Sequence, residues 1–489
     1  MTRQRVIAVD CGTQSVRCLL IDVATGEYTI GASEELPLIV VAPKQVEIDP
    51  LHLVAATVRV LRATLEQCVG EEPVCIGLTN MRETAIIWSR RTGKPLHNGI
   101  MWMSQQSAPV VKRWDDEGLS PLIRERTGLS NHTFFFGSKV AWLLDEHPEL
   151  RALAAAGELA IGTVESWLLY ALTGGAVHAT DVSNASRYQL MNLETLDWDD
   201  ELCRALDIPR AALPQIMSTS ARFGMTDPSL TGVRIPITGM IGDQQASLLG
   251  HRCEKPGESK VTFGTSCVVS VNLGATPSSA DGLVTSVAWS DRDLNPVYEI
   301  EGSAFHSGYT LSWLSRMLSV PLAWDREFTA GTLPQERRVY VLPSFTELGA
   351  PRWPQGSGAI ISGLTMDTEP TDLIRAGIES MAYQAFDLVS AVPATISRSA
   401  TLSVDGGGAG NNYLCQLLAD LSQSTVVRPP SRELTAFGAA RVALRTIDLD
   451  LPDYASAQPS GFDHFTPSTS SDALEGFHHW KNLIDRNLV

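Results

Sequence analysis

Residues 6–22 read VIAVDCGTQSVRCLLID: an apolar run stops at Asp10, the turn Gly12-Thr13-Gln14-Ser15 follows, and a second apolar run ends at Asp22. Runs of Val, Ile and Leu bounded by turn residues predict the two strands of a hairpin. A plain hairpin turn is satisfied by Asn-Gly or Asp-Gly. This one gathers a carboxylate, two hydroxyls and backbone N–H groups at a single tip. The pattern returns in residues 260–274, KVTFGTSCVVSVNLG, where an apolar strand runs into Gly264-Thr265-Ser266 and out into another. The pair predicts two related α/β domains, each lending one hairpin to a shared cleft. Two unrelated hairpins with good turn residues would leave the same signal.

The surroundings fit an α/β chain. A third strand is expected near EYTIGAS (27–33), followed by a helix over 50–68 that starts at Pro50 after Asp49. Its apolar positions Leu53, Val54, Thr57, Val58, Leu61 and Leu65 have helical spacing. VCIGLTN (74–80) and TAIIWS (84–89) read as two more strands, so the order is β-β-β-α-β with a mixed sheet. Helices are expected in SKVAWLLDEHPEL (138–150) and in GTVESWLLYALTGG (162–175), where Gly174 and Gly175 make a stop. IPITGMIGD (235–243) is a strand that feeds the helix-like QQASLLGHRC. Residues 371–392 form a long amphipathic helix with Ile374, Ile378, Met381, Ala385, Leu388 and Val392 on one face, read as core. Residues 401–421, TLSVDGGGAGNNYLCQLLADL, give a strand, a glycine cluster and a helix. Residues 452–472 read as a Pro/Ser-rich loop, and 473–484 as a last helix with His478 and His479 facing solvent.

Length and composition bound the function. The 489 residues favour two or three domains, and 44% hydrophobic with 19% charged residues is the balance of a globular protein. A net charge of -17 speaks against nucleic-acid and anionic-membrane partners, which need a positive footprint. An anionic small ligand would have to be held locally, by N–H groups, a few basic side chains and a metal ion. The eight cysteines show no C-x-x-C pair and read as small core residues of a reducing cytoplasm. No secretory leader is expected in MTRQRVIAVD, and no apolar run is long enough to predict a membrane span.

Glycines between a strand and a helix let backbone N–H groups approach phosphate oxygens at the positive helix end. VDGGGAGNNYL has that arrangement at Gly406, Gly407 and Gly408, although such a turn can also serve only tight packing. No G-x-x-x-x-G-K-[ST] motif occurs. Two hairpins for the β and γ phosphates and one glycine turn for the nucleoside would make an ATP site without a P-loop lysine. Phosphoryl transfer then needs a metal, a base and an acceptor pocket. Asp10, ending its strand, suits Mg2+, which takes one or two carboxylates plus phosphate. Asp243, at a strand-to-helix junction, suits a base that accepts a hydroxyl proton; the alternative is a helix N-cap. Arg82 and Glu83 in LTNMRETAIIW suit vicinal hydroxyls of a polyol, the alternative being a structural ion pair. Trp102 offers a flat wall for the C–H face of such a molecule, and Arg17 reaches toward substrate or phosphate.

Six ordered segments together resemble the FGGY carbohydrate kinase family, and within it the glycerol kinases: VDCGTQSVR, TNMRETAIIW, GDQQASLLG, TFGTS, PSFTELGAPRWPQGSGAIISGLT and VDGGGAGNN…RELTAFGAA. The resemblance spans about residues 5 to 445 and implies two RNase-H-like domains of the actin/hexokinase-like ATPase fold flanking a central cleft. The division is expected at 1–246 and 247–489. ATP and Mg2+ would sit between the domains. Asp243 would be the base, with Asp10 and Asp243 at the metal. Thr13, Gln14, Ser15, Arg17, Gly264, Thr265, Gly308, Gly407 and Asn411 would serve the nucleotide. Arg82, Glu83, Trp102, Phe134, Asp243 and Gln244 would hold the acceptor. A cytoplasmic homo-oligomer, dimer or tetramer, is implied.

The chain also departs from the glycerol-kinase pattern. Phe134 stands where those kinases carry a Tyr, Val268 where an aromatic is expected, and Gln105 and Gln106 where basic residues are common. TGVR (231–234) has lost the first Gly of a loop that binds a sugar-bisphosphate inhibitor in relatives. The activity implied is ATP-dependent phosphorylation of a terminal hydroxyl of glycerol or a similar small polyol. The alternatives are a kinase for a ketose or longer polyol (xylulose, ribulose, erythritol), or a non-catalytic nucleotide sensor. The stretch TNMRET argues against the pentulose branch.

Overall fold

The structure is a computed structural model that describes residues 3–68, 70–320, 338–353, 358–396, 399–452, 461–468 and 472–487. Part of the Pro/Ser-rich segment and residues 354–357 of the motif PSFTELGAPRWPQGSG lie outside the described residues.

Both hairpins form and each opens a sheet. Arg3–Cys11 pairs antiparallel with Ser15–Asp22, which pairs with Tyr28–Glu35. On the other side Arg3–Cys11 runs parallel to Glu71–Asn80, and that strand parallel to Pro236–Gly242. The second sheet repeats this order. Ser259–Phe263 pairs antiparallel with Cys267–Gly274, then Pro296–Ala304, while its other edge runs parallel to Thr401–Asp405 and on to Thr425–Arg428. In chain order each sheet reads third, second, first, fourth, fifth strand, with extra strands only at the rims. The duplication inferred from two short turns is a duplication of topology.

The helix Pro50–Leu65 begins as its sequence says: the Asp49 side chain accepts from the N–H groups of Leu51 and His52, and Pro50 occupies the first turn. It buries Leu53, Ala56, Thr57, Val60, Leu61 and Thr64, a stripe rotated slightly from the expected one. Gly174 and Gly175, at φ 66° and 83°, end the helix Val164–Leu172 in the left-handed region that glycine tolerates. The last helix spans Asp472–Asn487 with His478 and His479 exposed, as expected, and the His479 ring stacks on Tyr340 at 4.4 Å.

Two local expectations need correction. Ile86–Ser89 leaves the first sheet and pairs with Leu159–Gly162, because the long insertion after Asn80 builds its own core around Ile87, Phe136, Tyr188 and Trp198. Within the expected loop of 452–472, Asp463–Phe465 adds a short antiparallel strand to the edge at Thr425–Arg428, fastened by Arg428 to Asp463 at 2.7 Å. A strand of that length is set by the edge it meets, not by its own pattern.

The helix Leu434–Arg445, late in the chain, packs on the first sheet. Its Phe437, Ala440 and Ala443 join Val6, Ala8 and Leu19 in one core. Contact is close: a Cβ on Gly438 would sit 1.9 Å from the carbonyl oxygen of Ala246, in the helix Asp243–Gly250. The segment RELTAFGAA thus fixes the helix that carries Asp243. That helix also spans the expected division after residue 246 and leads directly into the second sheet.

Candidate active site

The two hairpin tips face one cavity of about 280 Å³. Thr13 and Gln14 line it from the first sheet, and Thr265 and Ser266 from the second. The turns are built alike: the Gly12 N–H donates to the Ser15 carbonyl at 3.0 Å and the Gly264 N–H to the Ser266 carbonyl at 2.9 Å. Among the described hydrogen bonds the N–H groups of Thr13, Gln14 and Thr265 have no protein acceptor. Opposed N–H groups in a cleft suit anionic oxygens.

Asp243 opens its helix beside the same cavity, with 28% of its side chain exposed. It is not the N-cap, a position held by Gly242, although its Oδ1 accepts the neighbouring Gln244 N–H at 2.7 Å. Burial raises its pKa to about 6; Arg82 and Lys260 oppose that rise, while Glu83 and Asp10 add to it. A carboxylate held near that value is ionised at neutral pH yet basic enough to accept a proton.

Arg82 and Glu83 line the cavity from the loop after Glu71–Asn80, both nearly fully buried. They do not simply pair with each other. Arg82 reaches Glu301 in a bidentate contact (2.7 and 3.2 Å) and Asp243 at 3.3 Å, whereas Glu83 accepts from Arg187 at 2.6 Å. Arg187 also reaches Glu301 at 3.0 Å. The result is a closed set of two guanidiniums and two carboxylates with Asp243 at its edge. Burial works against the charge of Glu301, but Arg187 and Arg82 outweigh it and hold its pKa well below the carboxylate range. Glu83 adopts φ 60°, a conformation rare outside glycine that marks a position held by its surroundings.

One end of the cavity is aromatic. Trp102 donates from Nε1 to Thr13 Oγ1 at 3.0 Å, coupling the wall to the first hairpin, and meets Phe134 edge-on at 5.7 Å. Phe134 is held by Lys139, whose ammonium donates to the carbonyls of Thr133, Phe134 and Phe135. Phe305 and Val268 complete that side. Gln244 lines the cavity and accepts from Lys260.

The other expected residues lie around this cavity without lining it. Asp10 is buried behind the first hairpin, where its Oδ2 takes two donors of Arg17 (2.8 and 3.0 Å). Arg17 continues to Glu433 at 3.2 Å, so here it clamps Asp10. Ser15 starts the second strand, and Gly264 is the bend of the second hairpin. Gly308 donates its N–H to the Gly264 carbonyl at 3.2 Å, where a Cβ would fall 2.3 Å from that oxygen. Gly407 and Asn411 follow Thr401–Asp405, the strand paired with the first arm of the second hairpin, so they flank it.

Two features test the fit of a nucleotide there. A Cβ built on Gly407 meets no atom within 4 Å, and the buried amide nitrogen of Asn411 has no partner while its Oδ1 caps the next helix. A backbone open to close approach and an unspent donor match a nucleoside site. For Mg2+, the donor set fits as well: Asp10 Oδ1 accepts none of the described hydrogen bonds, and Asp243 is close enough for the two charges to interact.

Glu301, Arg187 and Lys260 were not anticipated. The alternation in VYEIEGSA, which puts Glu299 and Glu301 on one face of a buried strand, was a usable signal for Glu301. Arg187, in NASRYQL, carries no pattern of its own.

Comparison with known proteins agrees with this geometry. The model of the FGGY family of carbohydrate kinases, N-terminal domain, matches residues 5–250, and that of its C-terminal domain residues 259–447. Glycerol kinase 2 of Thermotoga maritima is 38% identical over 490 residues, 99% of this chain and 98% of that protein. Glycerol kinase of Methylobacterium nodulans is 42% identical over 451 residues, 91% and 89% of the two chains. The crystal structure of Plasmodium falciparum glycerol kinase with ADP superposes with a TM-score of 0.88 at 29% identity, covering 100% of this chain and 99% of that one. Xylulose kinase of Lactobacillus acidophilus, at 20% identity, shares the fold with a TM-score of 0.86, covering 99% and 98%. With both halves matched in order and the two hairpins closing on one cavity, the chain belongs to the FGGY family of carbohydrate kinases.

Proposed function

We propose that the protein transfers the γ-phosphoryl group of ATP to a terminal hydroxyl of glycerol or a similar small polyol. The observation that carries this reading is the single cavity bordered by both glycine–threonine hairpins and by Asp243. Asp243 accepts the hydroxyl proton as the oxygen attacks phosphorus. Arg82, Glu83 and Gln244 orient the vicinal hydroxyls, and Trp102 and Phe134 cover the carbon chain. The N–H groups of Thr13, Gln14 and Thr265 receive the phosphate oxygens, and Gly407 and Asn411 border the nucleoside. Asp10, steadied by Arg17, and Asp243 would hold Mg2+, which would neutralise charge on the transferring group. Closure of the two sheets excludes water and limits ATP hydrolysis. Eight free thiols and the need for ATP support a cytoplasmic location. A dimer or tetramer is the expected assembly, read by light scattering of the purified chain.

A coupled ADP-release assay across glycerol, erythritol, xylulose and ribulose tests the reading. Turnover with a polyol above the ATPase background, lost in Asp243→Asn, is expected. No turnover with any of the four would leave the nucleotide-sensor alternative standing.

A further inference from the structure

A second chamber of about 60 Å³ adjoins the main cavity. The two share Trp102, Met103, Phe134 and Phe305, and none of Thr13, Gln14, Asp243 or Thr265 lines the smaller one. The chamber therefore continues from the acceptor end, on the side away from the phosphate-facing hairpins. At roughly 30 Å³ per water in the liquid, it has room for about one hydroxymethyl group.

Its far wall is polar and specifically oriented. The Phe134 N–H donates to His132 Nδ1 at 3.0 Å, so that nitrogen is the acceptor and the ring proton sits on Nε2. Nε2–H then donates to Glu347 Oε2 at 3.0 Å. The His132 ring is wedged between Trp353 and Phe305, with centroids at 4.9 and 6.1 Å, so this orientation is fixed by packing. Glu347 is 8% exposed, and among the described residues its second oxygen, Oε1, accepts only from the Gln105 amide, at 3.5 Å, the outer limit of a hydrogen bond. An enclosed carboxylate oxygen with so weak a donor has capacity for a strong one. The hydroxyl-free ring of Phe134 leaves the neck between the chambers apolar, suited to a carbon chain and not to a polar group.

We propose that His132 and Glu347 form a distal acceptor subsite, in which the far hydroxyl of a polyol with four or more carbons donates to Glu347 Oε1, and that such a polyol is preferred to glycerol. The inference rests on the reading of the main cavity as the acceptor site. Arg82 and Glu83 line the main cavity and not the smaller chamber, so glycerol held by them leaves Glu347 Oε1 without a hydroxyl donor. A site built to bond a hydroxyl discriminates strongly against a molecule that lacks it.

The experiment compares kcat/KM for glycerol and erythritol in the full-length protein and in Glu347→Gln. The expected result is a wild-type erythritol-to-glycerol ratio of about ten or more, since a hydrogen bond to a charged group is at stake. The ratio should fall about tenfold in the variant, chiefly through KM for erythritol. A wild-type ratio below one overturns the proposal without recourse to any variant. So does a ratio unchanged by Glu347→Gln. Turnover with neither polyol would remove the acceptor-site reading itself, and the subsite with it; that outcome differs because glycerol also fails.

Discussion

Replacing Arg82 with Gln tests how the buried charge set tunes Asp243. The Arg82 Nε lies 3.3 Å from Asp243 Oδ1. At that separation two unit charges attract by about 1.3 kcal/mol in a water-like dielectric and about 5 kcal/mol at an effective dielectric of about 20. The smaller figure alone corresponds to about one pH unit. Without the guanidinium, Lys260 is left to oppose Glu83 and Asp10, so ionised Asp243 is destabilised. Its pKa should therefore climb from about 6 to about 7 or higher. A base works only when ionised, so the acid limb of kcat/KM moves to higher pH. The ionised fraction at pH 6 falls from about one half to about one tenth, while at pH 8 it stays near nine tenths for a shift of about one unit. Added to any pH-independent loss of acceptor contacts, the variant should be about fivefold more impaired at pH 6 than at pH 8. The assay is ADP release with saturating ATP across pH 5.5 to 8.5, on protein shown by a cooperative melt to be folded. An acid limb that stays in place, or moves to lower pH, refutes the reasoning.

Asp243→Asn should lose about 10²- to 10⁴-fold in kcat, the usual worth of a positioned base, with ATP affinity retained in calorimetry. Arg187→Met leaves Glu83 and Glu301 sharing one guanidinium in the interior; thermal or urea unfolding should show a loss of about 3–5 kcal/mol. Gly438→Ala drives a methyl into the Ala246 carbonyl between the two helices and should lower the melting temperature and kcat together, because that helix carries Asp243. Chelation of divalent cations with EDTA should abolish turnover, and added Mg2+ should restore it.

What the sequence made legible was local. The hairpins could be read at Gly12–Ser15 and Gly264–Ser266 because each signal lies within a few residues, and Asp243 because a carboxylate at a strand-to-helix junction is conspicuous. The cavity unites these with Arg82, Glu83, Trp102, Phe134 and Gln244. Long-range charge pairing could not be read. Arg82 sits beside Glu83 in the chain, yet its main partner is Glu301, and Glu83 pairs with Arg187. Only tertiary packing brings those four together. Arg17 likewise reads from the sequence as free to reach a ligand, whereas the fold places Asp10 and Glu433 on either side of it. The packing of Leu434–Arg445 on the first sheet was equally hidden, since nothing in RELTAFGAA says which sheet it will cover.

The most direct test is a crystal structure of the protein with a non-hydrolysable ATP analogue, Mg2+ and glycerol. The terminal phosphate should lie between the N–H groups of Thr13 and Gln14 on one side and Thr265 on the other, with a glycerol hydroxyl within hydrogen-bonding reach of Asp243. Phosphates bound at one hairpin alone, or a glycerol hydroxyl held away from Asp243, would contradict the account.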